Sequence, residues 1–364
     1  MSAYEVSLLS NTGQVIAVLD TTVFVTLHYE RVLNGVATCQ ITLRADHPAA
    51  PLFVKDRLIE INRYPSPRVA AQYEGCFLVR YRRRYEDEDG QVWLIASGVS
   101  LEYLLLVRYI DPRNDPLMAG GYSTKEGPAD DVICELVTQQ AGVDAGVYQR
   151  VPDLTTAASG HVGNQVAGRW QWENLLDELQ KLARTGGVDF YIHRSVGLAL
   201  EFVCKPVGAD LRRNYAGAES VIFTPAFGNM SVPELSEDWK DEKTFVYLLG
   251  QGSETEREVY EQMSGHLFDT PYSYAAQVAD ARQVKGGNAT EYLTQALGEL
   301  AKGAAKVDFS FEVVQAEQQY RRLWDVGDRV TASWLDYEAD LRIMGVEVEV
   351  SESDERVTLK LEDV

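Results

Sequence analysis

Paired cysteines, a basic face and an unbroken apolar run are all missing from this sequence, and each absence removes a class of function. The four cysteines, Cys39, Cys76, Cys134 and Cys204, stand far apart with no CxxC or CxC spacing. They read as buried free thiols, not as a disulfide framework or a zinc site. Lysine and arginine number 34 against 55 acidic residues, for a formal net charge of -21. So acidic a chain neither wraps nucleic acid nor docks on an anionic membrane, because both need a basic face. The most apolar stretch, Leu101 to Ile110, is interrupted by Glu102 and Arg108 and is too short to span a bilayer. The opening Met-Ser-Ala-Tyr-Glu-Val has neither the basic nor the apolar region of a secretory signal, so the chain is expected to fold in a cytoplasm without inserting into a membrane.

Motifs of chemistry are equally sparse. His161 lies in the glycine-bounded loop Gly160-His-Val-Gly163, but no HxH, HExxH or GxSxG accompanies it, and it reads as an ordinary loop histidine. Asp87, Asp89 and Gly90 echo a calcium loop, yet Tyr85 and Ala96 stand where ligands are needed, so a solvated hairpin tip is the better reading. Carboxylates are abundant, but sequence does not select the pair a glycosidase requires. No catalytic, cofactor-binding or metal-ligating residue is expected.

What the sequence does contain is alternation. Val23, Val25, Leu27 and Tyr29 alternate with Phe24, Thr26, His28 and Glu30, and Ala37, Cys39, Ile41 and Leu43 with Thr38, Gln40, Thr42 and Arg44. Period two means strand, and Asn34-Gly35 marks the turn. A two-residue loop would set Leu27 against Thr42. A three-residue loop, Leu33 to Gly35, sets Leu27 opposite Ile41 and Val25 opposite Leu43, with Gly35 as the left-handed residue. The polar face of this hairpin, Thr26, His28, Thr38, Gln40 and Thr42, suits a lumen, water or a neighbouring sheet.

Further strands are predicted at Tyr4 to Leu9, Val15 to Asp20, Arg57 to Asn62, and in a long hairpin of Gln72 to Tyr85 and Gln91 to Ser97. Up to about Asp111 the chain reads as an antiparallel barrel or sandwich. A turn-rich linker follows, then an α+β module over about Pro128 to Cys204. Its helices are Pro128 to Ala141 and Glu173 to Arg184, and Tyr148 to Arg169 is a long loop. The acidic stretch Ser236 to Lys243 separates two later strands. Those strands are Ser220 to Thr224 and Thr244 to Gly250, Glu254 to Gln262 answers the second as a hairpin arm, and a polar connection then reaches Asn288, which caps a helix over Ala289 to Lys306 with Glu291 at the capping-box position. Arg329 to Trp334, Leu341 to Val350 and Val357 to Leu361 form a closing meander with a bulge at Gly345.

One basic run stands out. Arg80, Arg82, Arg83 and Arg84 interleave with Tyr81 and Tyr85, a composition that suits nucleic acid, but acidic residues follow at once. Cross-strand or inter-subunit ion pairs are the better reading, and Arg80, Arg82 and Arg84 join the five hairpin residues as candidates for a lumen or subunit interface.

Four stretches, in this order along the chain, resemble the tail hub family of long-tailed (siphovirus) phages, tail-tip proteins akin to the baseplate hubs of contractile phages. They are Tyr73-Glu-Gly75 leading to Ser97-Gly-Val-Ser-Leu101; Asn174-Leu-Leu-Asp-Glu-Leu179 before Gly186-Gly187; Phe223-Thr-Pro-Ala-Phe-Gly-Asn229 with Ser236 to Glu242 and Gly250-Gln-Gly252; and Trp324-Asp-Val-Gly-Asp-Arg-Val330. The resemblance implies a mainly β chain with an α+β insertion. Two tail-tube-like antiparallel β-barrel domains, residues 1–111 and 216–265 with 307–364, would flank an α+β module of residues 112–215 joined by helix 289–306. It implies a structural protein and not an enzyme: a homotrimeric ring at the virion tail tip, assembled in the host cytoplasm, that adapts a sixfold tube to a threefold tip. Its partners would be the distal tail or tail tube protein, the tape measure protein and tail fibre or tip proteins, with DNA passing through without specific binding. No cofactor is implied. The rival readings are a tail-associated cell-wall hydrolase and a carbohydrate-binding β module.

Overall fold

The computed structural model describes residues 3–10, 12–66, 70–195, 197–213, 220–253, 256–284, 288–314, 320–351 and 354–363. The expected start of the second barrel at Ala216 lies outside them. Alternating side chains lay down the first seven strands: β1 (Ala3–Leu9), β2 (Val15–Asp20), β3 (Phe24–Val32), β4 (Thr38–Arg44), β5 (Leu58–Tyr64), β6 (Gln72–Glu86) and β7 (Val92–Ser100). An α+β portion follows, with α1 (Tyr103–Leu106), β8 (Ser123–Pro128), α2 (Ala129–Gln140), β9 (Leu154–Thr156), β10 (Gln165–Trp170), α3 (Leu175–Gly186), β11 (Val188–Arg194) and β12 (Leu200–Pro206). After β13 (Ile222–Phe223) and β14 (Met230–Asp238) come β15 (Phe245–Leu249), β16 (Val259–Met263), β17 (Ala276–Asp280) and α4 (Ala289–Lys302). The chain closes with β18 (Lys306–Val313), β19 (Arg329–Trp334), β20 (Tyr337–Ser351) and β21 (Glu355–Asp363). The mainly β architecture with an α+β insertion is as the alternation predicts. No helix among the described residues is long and apolar enough to cross a membrane.

The helices end where their caps dictate. Asn174 accepts a hydrogen bond from the Asp177 amide at the start of α3, and Gly187 closes it in the left-handed conformation at φ 66°. Asn288 likewise caps α4 by accepting from the Glu291 amide, but α4 stops at Lys302, short of the expected Lys306. In α3, Leu175, Leu176, Leu179, Leu182 and Ala183 are buried. They join Val132, Ile133, Leu136 and Val137 of α2 in a second core that the sheet β11-β12-β9 and the pair β10-β8 complete. A third, small core sits between α4 and the sheet β16-β15-β17, around Val246, Leu248, Tyr292 and Ala296.

One large sheet dominates, in the order β14-β18-β21-β20-β3-β4-β7-β6-β5-β1-β2, with β13 and β19 attached through β20. It contains a repeat that sequence comparison of the two ends does not reveal. Taking β3, β4, β6 and β7 in chain order, their spatial order from β6 is third, fourth, second, first, and β20-β21-β18-β14 repeats that order in the same direction. The third strands, β6 and β20, are each 15 residues long, and the fourth, β7 and β21, are each 9. Bulges fall at matching places, between Val79 and Tyr81 and between Ile343 and Gly345. The second is the bulge expected at Gly345. Both long strands are flanked at their first half only, β6 by β5 and β20 by β19.

The repeats meet at β3 and β20, which pair antiparallel from Gly345↔Val32 to Ser351↔Thr26. One hydrophobic core runs beneath both, including Tyr29, Phe77, Phe309, Trp324 and Val348. The opening hairpin keeps Leu27 opposite Ile41 as predicted, but Phe24 and not Val25 faces Leu43, because a bulge intervenes. Its loop is wider than three residues, since Tyr29↔Cys39 is the last pair, and the left-handed residue is Asn34 (φ 52°), not Gly35. The reason is tertiary. The Asn34 Oδ1 accepts from the Phe190 amide (2.7 Å), and its Nδ2 donates to Asp189 (3.2 Å). Asp189 is itself buried and held at both oxygens by Arg342 (2.6 Å each). The hairpin tip, the α+β portion and β20 thus converge on one carboxylate.

A second buried polar network ties the repeats together. Arg63 and Tyr4 both donate to Glu355 (2.8 and 2.6 Å), Tyr320 donates to Glu74 (2.8 Å), and Arg31 donates to Tyr320 and Asp325 (3.0 and 2.5 Å). Removing one partner of a buried ion pair leaves an uncompensated charge, a loss of about 3–5 kcal/mol. Arg63→Leu is therefore expected to lower the free energy of urea unfolding by about that amount, and an unchanged midpoint and slope would refute the role given to the network. Burial alone would raise the Asp325 carboxyl, but Arg31 and Arg321 outweigh it and hold the group below its ordinary 3.8. Its contribution is present above pH 3.8 and is lost as pH falls through the lower folded value. The stability gap between the wild type and Asp325→Asn is therefore widest above pH 4 and narrows below it, which pH-resolved unfolding curves would check.

Candidate functional site

The surface best organised for contact is the outward face of the large sheet where β20, β3 and β4 run side by side. Strand pairing puts Thr26 opposite Thr42 and His28 opposite Gln40. On the other side of β3, Ser351, Glu349 and Glu347 stand opposite Thr26, His28 and Glu30. The five hairpin residues expected to share a face do share it. Arg80, Arg82 and Arg84 do not join them. The bulge at Arg80 shifts the parity of β6, so Arg82 and Arg84 pair with Ala96 and Leu94, whose side chains lie on the core side, whereas Arg83 pairs with Ile95 on the face of Thr42. Arg80 is bonded within the chain to Asp56 (2.9 Å) and lies over the Tyr103 ring, and Arg82 donates to the Phe53 carbonyl (3.1 Å).

Charge on the face is tightly matched at the junction. His28 Nε2 lies 2.7 Å from Glu347 Oε1, Lys360 reaches both Glu347 and Glu30 at 3.1 Å, and Thr38 donates to Glu30 at 2.9 Å. Partial burial alone would raise the Glu347 carboxyl, but the hydrogen bonds from His28 and Lys360 outweigh it and hold the group below its ordinary 4.5. An open trough of about 540 Å³ runs beside this cluster, lined by Thr26, His28, Gln40, Glu349, Asp354 and Arg356. The donor atoms of His28, Glu347 and Glu349 lie within 4.8 Å of one another, close enough to consider a cation. Glu347, however, is already shared by His28 and by the Lys360 ammonium, which supplies the countercharge. Hydroxyls, an amide and paired carboxylates on flat strands make a hydrated, acidic surface.

Glu30, Glu347, Glu349 and Lys360 were not singled out by sequence reasoning. The signal for two of them was present in Val346-Glu-Val-Glu-Val350, where carboxylates alternate with buried valines. The junction itself has no local signature. The other sequence candidates resolve plainly. Asp87 is a turn cap, since its carboxylate accepts from the Asp89 and Gln91 amides and from the Trp93 indole. His161 is exposed beside Asp131 at 2.8 Å. Cys39, Cys76 and Cys134 are buried free thiols, and Cys204 is half-buried.

Comparison with solved structures places this fold among phage tail proteins. The 43 kDa tail protein of prophage MuSo2 from Shewanella oneidensis superposes with a TM-score of 0.59 at 10% identity, over 99% of this chain and 98% of that one. A tail protein from Neisseria meningitidis MC58 gives 0.53 at 14% identity, over 99% and 96%. Prophage tail protein gp18 from Listeria monocytogenes EGD-e gives 0.53 at 12% identity, over 98% and 94%. Identities this low speak to the fold alone. Among curated proteins, none is similar enough to count as a relative. The model of one family matches residues 5–361, nearly the whole chain. These findings bear out the resemblance to the tail proteins of long-tailed phages, and the chain belongs to the Siphovirus ReqiPepy6 Gp37-like protein family.

Proposed function

We propose that this chain is a structural hub of a phage tail: three copies form a ring at the tail tip, adapt the sixfold tube to a threefold tip and line the DNA channel. The observation that carries the reading is the duplicated strand order in the large sheet. A chain holding two similar units offers six in a ring of three, which matches a sixfold tube by symmetry. In this reading the repeat β3, β4, β6 and β7 belongs to a first tube-like domain of residues 1–111. A second domain draws on 216–265 and 307–364, and 112–215 with helix 289–306 sits outside the ring. The acidic face of β3, β4 and β20 is the candidate channel wall. Phosphates slide past carboxylates without sticking, whereas a basic wall would hold them.

The role is non-catalytic, and the partners are the tail tube or distal tail protein, the tape measure protein and tail fibre or tip proteins. The chain acts in the virion after assembly in the host cytoplasm. A second reading, binding of cell-wall glycan, draws on one observation: Phe245 lies 4.8 Å from Tyr247 and 5.9 Å from Tyr274 by ring centroid on the outer face of the small sheet. Aromatic platforms of this kind stack on sugar rings. Phe245→Ala would then lower retention on purified cell wall, and unchanged retention would remove that reading.

For the hub, native mass spectrometry of the full chain is expected to give three times the chain mass, and a label fused to it should appear only at the tip of assembled particles. A sixfold stoichiometry, or label distributed along the tube, would refute the proposal.

A further inference from the structure

We infer that the outer half of β6 is a docking edge for β14 of a second copy of this chain, in the register that sets Arg82 opposite Glu237. The inference rests on the ring proposed above and supplies its contact. Within the chain the two repeats join when β3 adds to the second half of β20, past the part that β19 flanks. Every ingredient of that junction occurs once more, unused. β6 is the counterpart of β20, and β5 flanks it only as far as Leu78. From Tyr81 to Glu86 it is paired on one side, by β7, and among the described residues no strand lies on the other. β14 is the counterpart of β3 and ends the sheet, with β18 on one side and no described strand on the other.

The register follows by carrying the β3–β20 pairing across the ladders. Tyr81 takes the place of Gly345, each the first residue after the bulge. Asp238 takes the place of Val32, and Leu235 that of Tyr29. Tyr81 then faces Asp238, Arg82 faces Glu237, Arg83 faces Ser236, Arg84 faces Leu235 and Tyr85 faces Glu234. Charge and geometry agree with this outcome. The basic run Arg80 to Arg84 meets a strand carrying Glu234, Glu237 and Asp238. Faces match, because Arg82 shares a side with Ala96 and Glu237 with Val307, both on the core side of their strands. Pro233, which has no amide to donate, would face Glu86 at the last residue of the open edge, where the ladder can end. An exposed strand edge is open to indiscriminate pairing, and the arginines narrow it to an acidic partner. Because the two edges belong to different strands of one sheet, β14 at its end and the outer half of β6, the contact is head to tail, the kind that builds a ring when its rotation closes.

The test pairs cysteines across the new edge. Arg82→Cys with Glu237→Cys in one chain, mildly oxidised, is expected to give a covalent ladder ending at a closed trimer on a non-reducing gel, while each single variant, which has no cysteine across the edge, does not. In parallel, Arg82→Glu should weaken self-association about tenfold or more, and Arg82→Glu with Glu237→Arg should restore it, with circular dichroism unchanged. A trimeric mass with the engineered cysteines still reduced, or with no response to Arg82→Glu, would overturn this edge pairing and leave the ring standing. A chain that stays monomeric at every concentration, without cross-link, would overturn both.

Discussion

Everything in this molecule hangs on the antiparallel pairing of β3 with β20. Those two strands join segments more than three hundred residues apart, from Thr26↔Ser351 to Val32↔Gly345. Without that pairing the chain would be two separate sheets, each with a raw edge. With it, a single hydrophobic core extends beneath both repeats. The buried charges enforce the match. Arg63, Glu74, Glu355 and their tyrosine partners lie in a region where an unmatched charge costs several kcal/mol, so the two repeats are held in one register. Hydrophobic packing alone would tolerate a slip of two residues. The ion pairs do not.

The same junction explains why the outward face is acidic and still compact. Glu30 and Glu347 stand on adjacent strands directly opposite each other, an arrangement that repels unless a cation sits between them. Lys360 from β21 provides it, and His28 adds a second contact to Glu347. Excess negative charge is thus left for the surface at Glu349 and along β14, and local repulsion is relieved where the strands must pair. A face rich in carboxylates and a sheet that holds together are compatible because the compensating charges lie at the seam.

Much of this was legible in the sequence, and the failures have physical causes. Leu27 against Ile41, the bulge at Gly345 and the Asn288 cap follow from period, parity and capping chemistry, all of which act over a few residues. Asn34 replaced Gly35 as the left-handed residue because its side chain binds the α+β portion, a contact no local rule contains. β9 and β10 lie in the stretch that reads as a long loop, β17 lies in the polar connection before Asn288, β14 runs into the acidic stretch, and β8 and β18 fall between the individual elements that alternation marks. Several are polar on both faces or sit at an edge, where alternation is weak: in β14, Glu234, Ser236 and Glu237 are all exposed. The five hairpin residues were placed on one face because nothing disturbs the alternation there. Arg82 and Arg84 lie on the other face of the sheet because one bulged residue, Arg80, inverts the parity of everything after it, a shift that the alternation of β6 does not announce.

The carboxylate of Asp189 has a consequence of a different kind. It is gripped from β20 by Arg342 and touched by Asn34 from the hairpin tip, while its own strand belongs to the helical portion. Three segments far apart in the chain are therefore joined at one point. A substitution at any one of them must keep this meeting point satisfied, so the α+β portion is fastened to the sheet here by a single carboxylate and its partners.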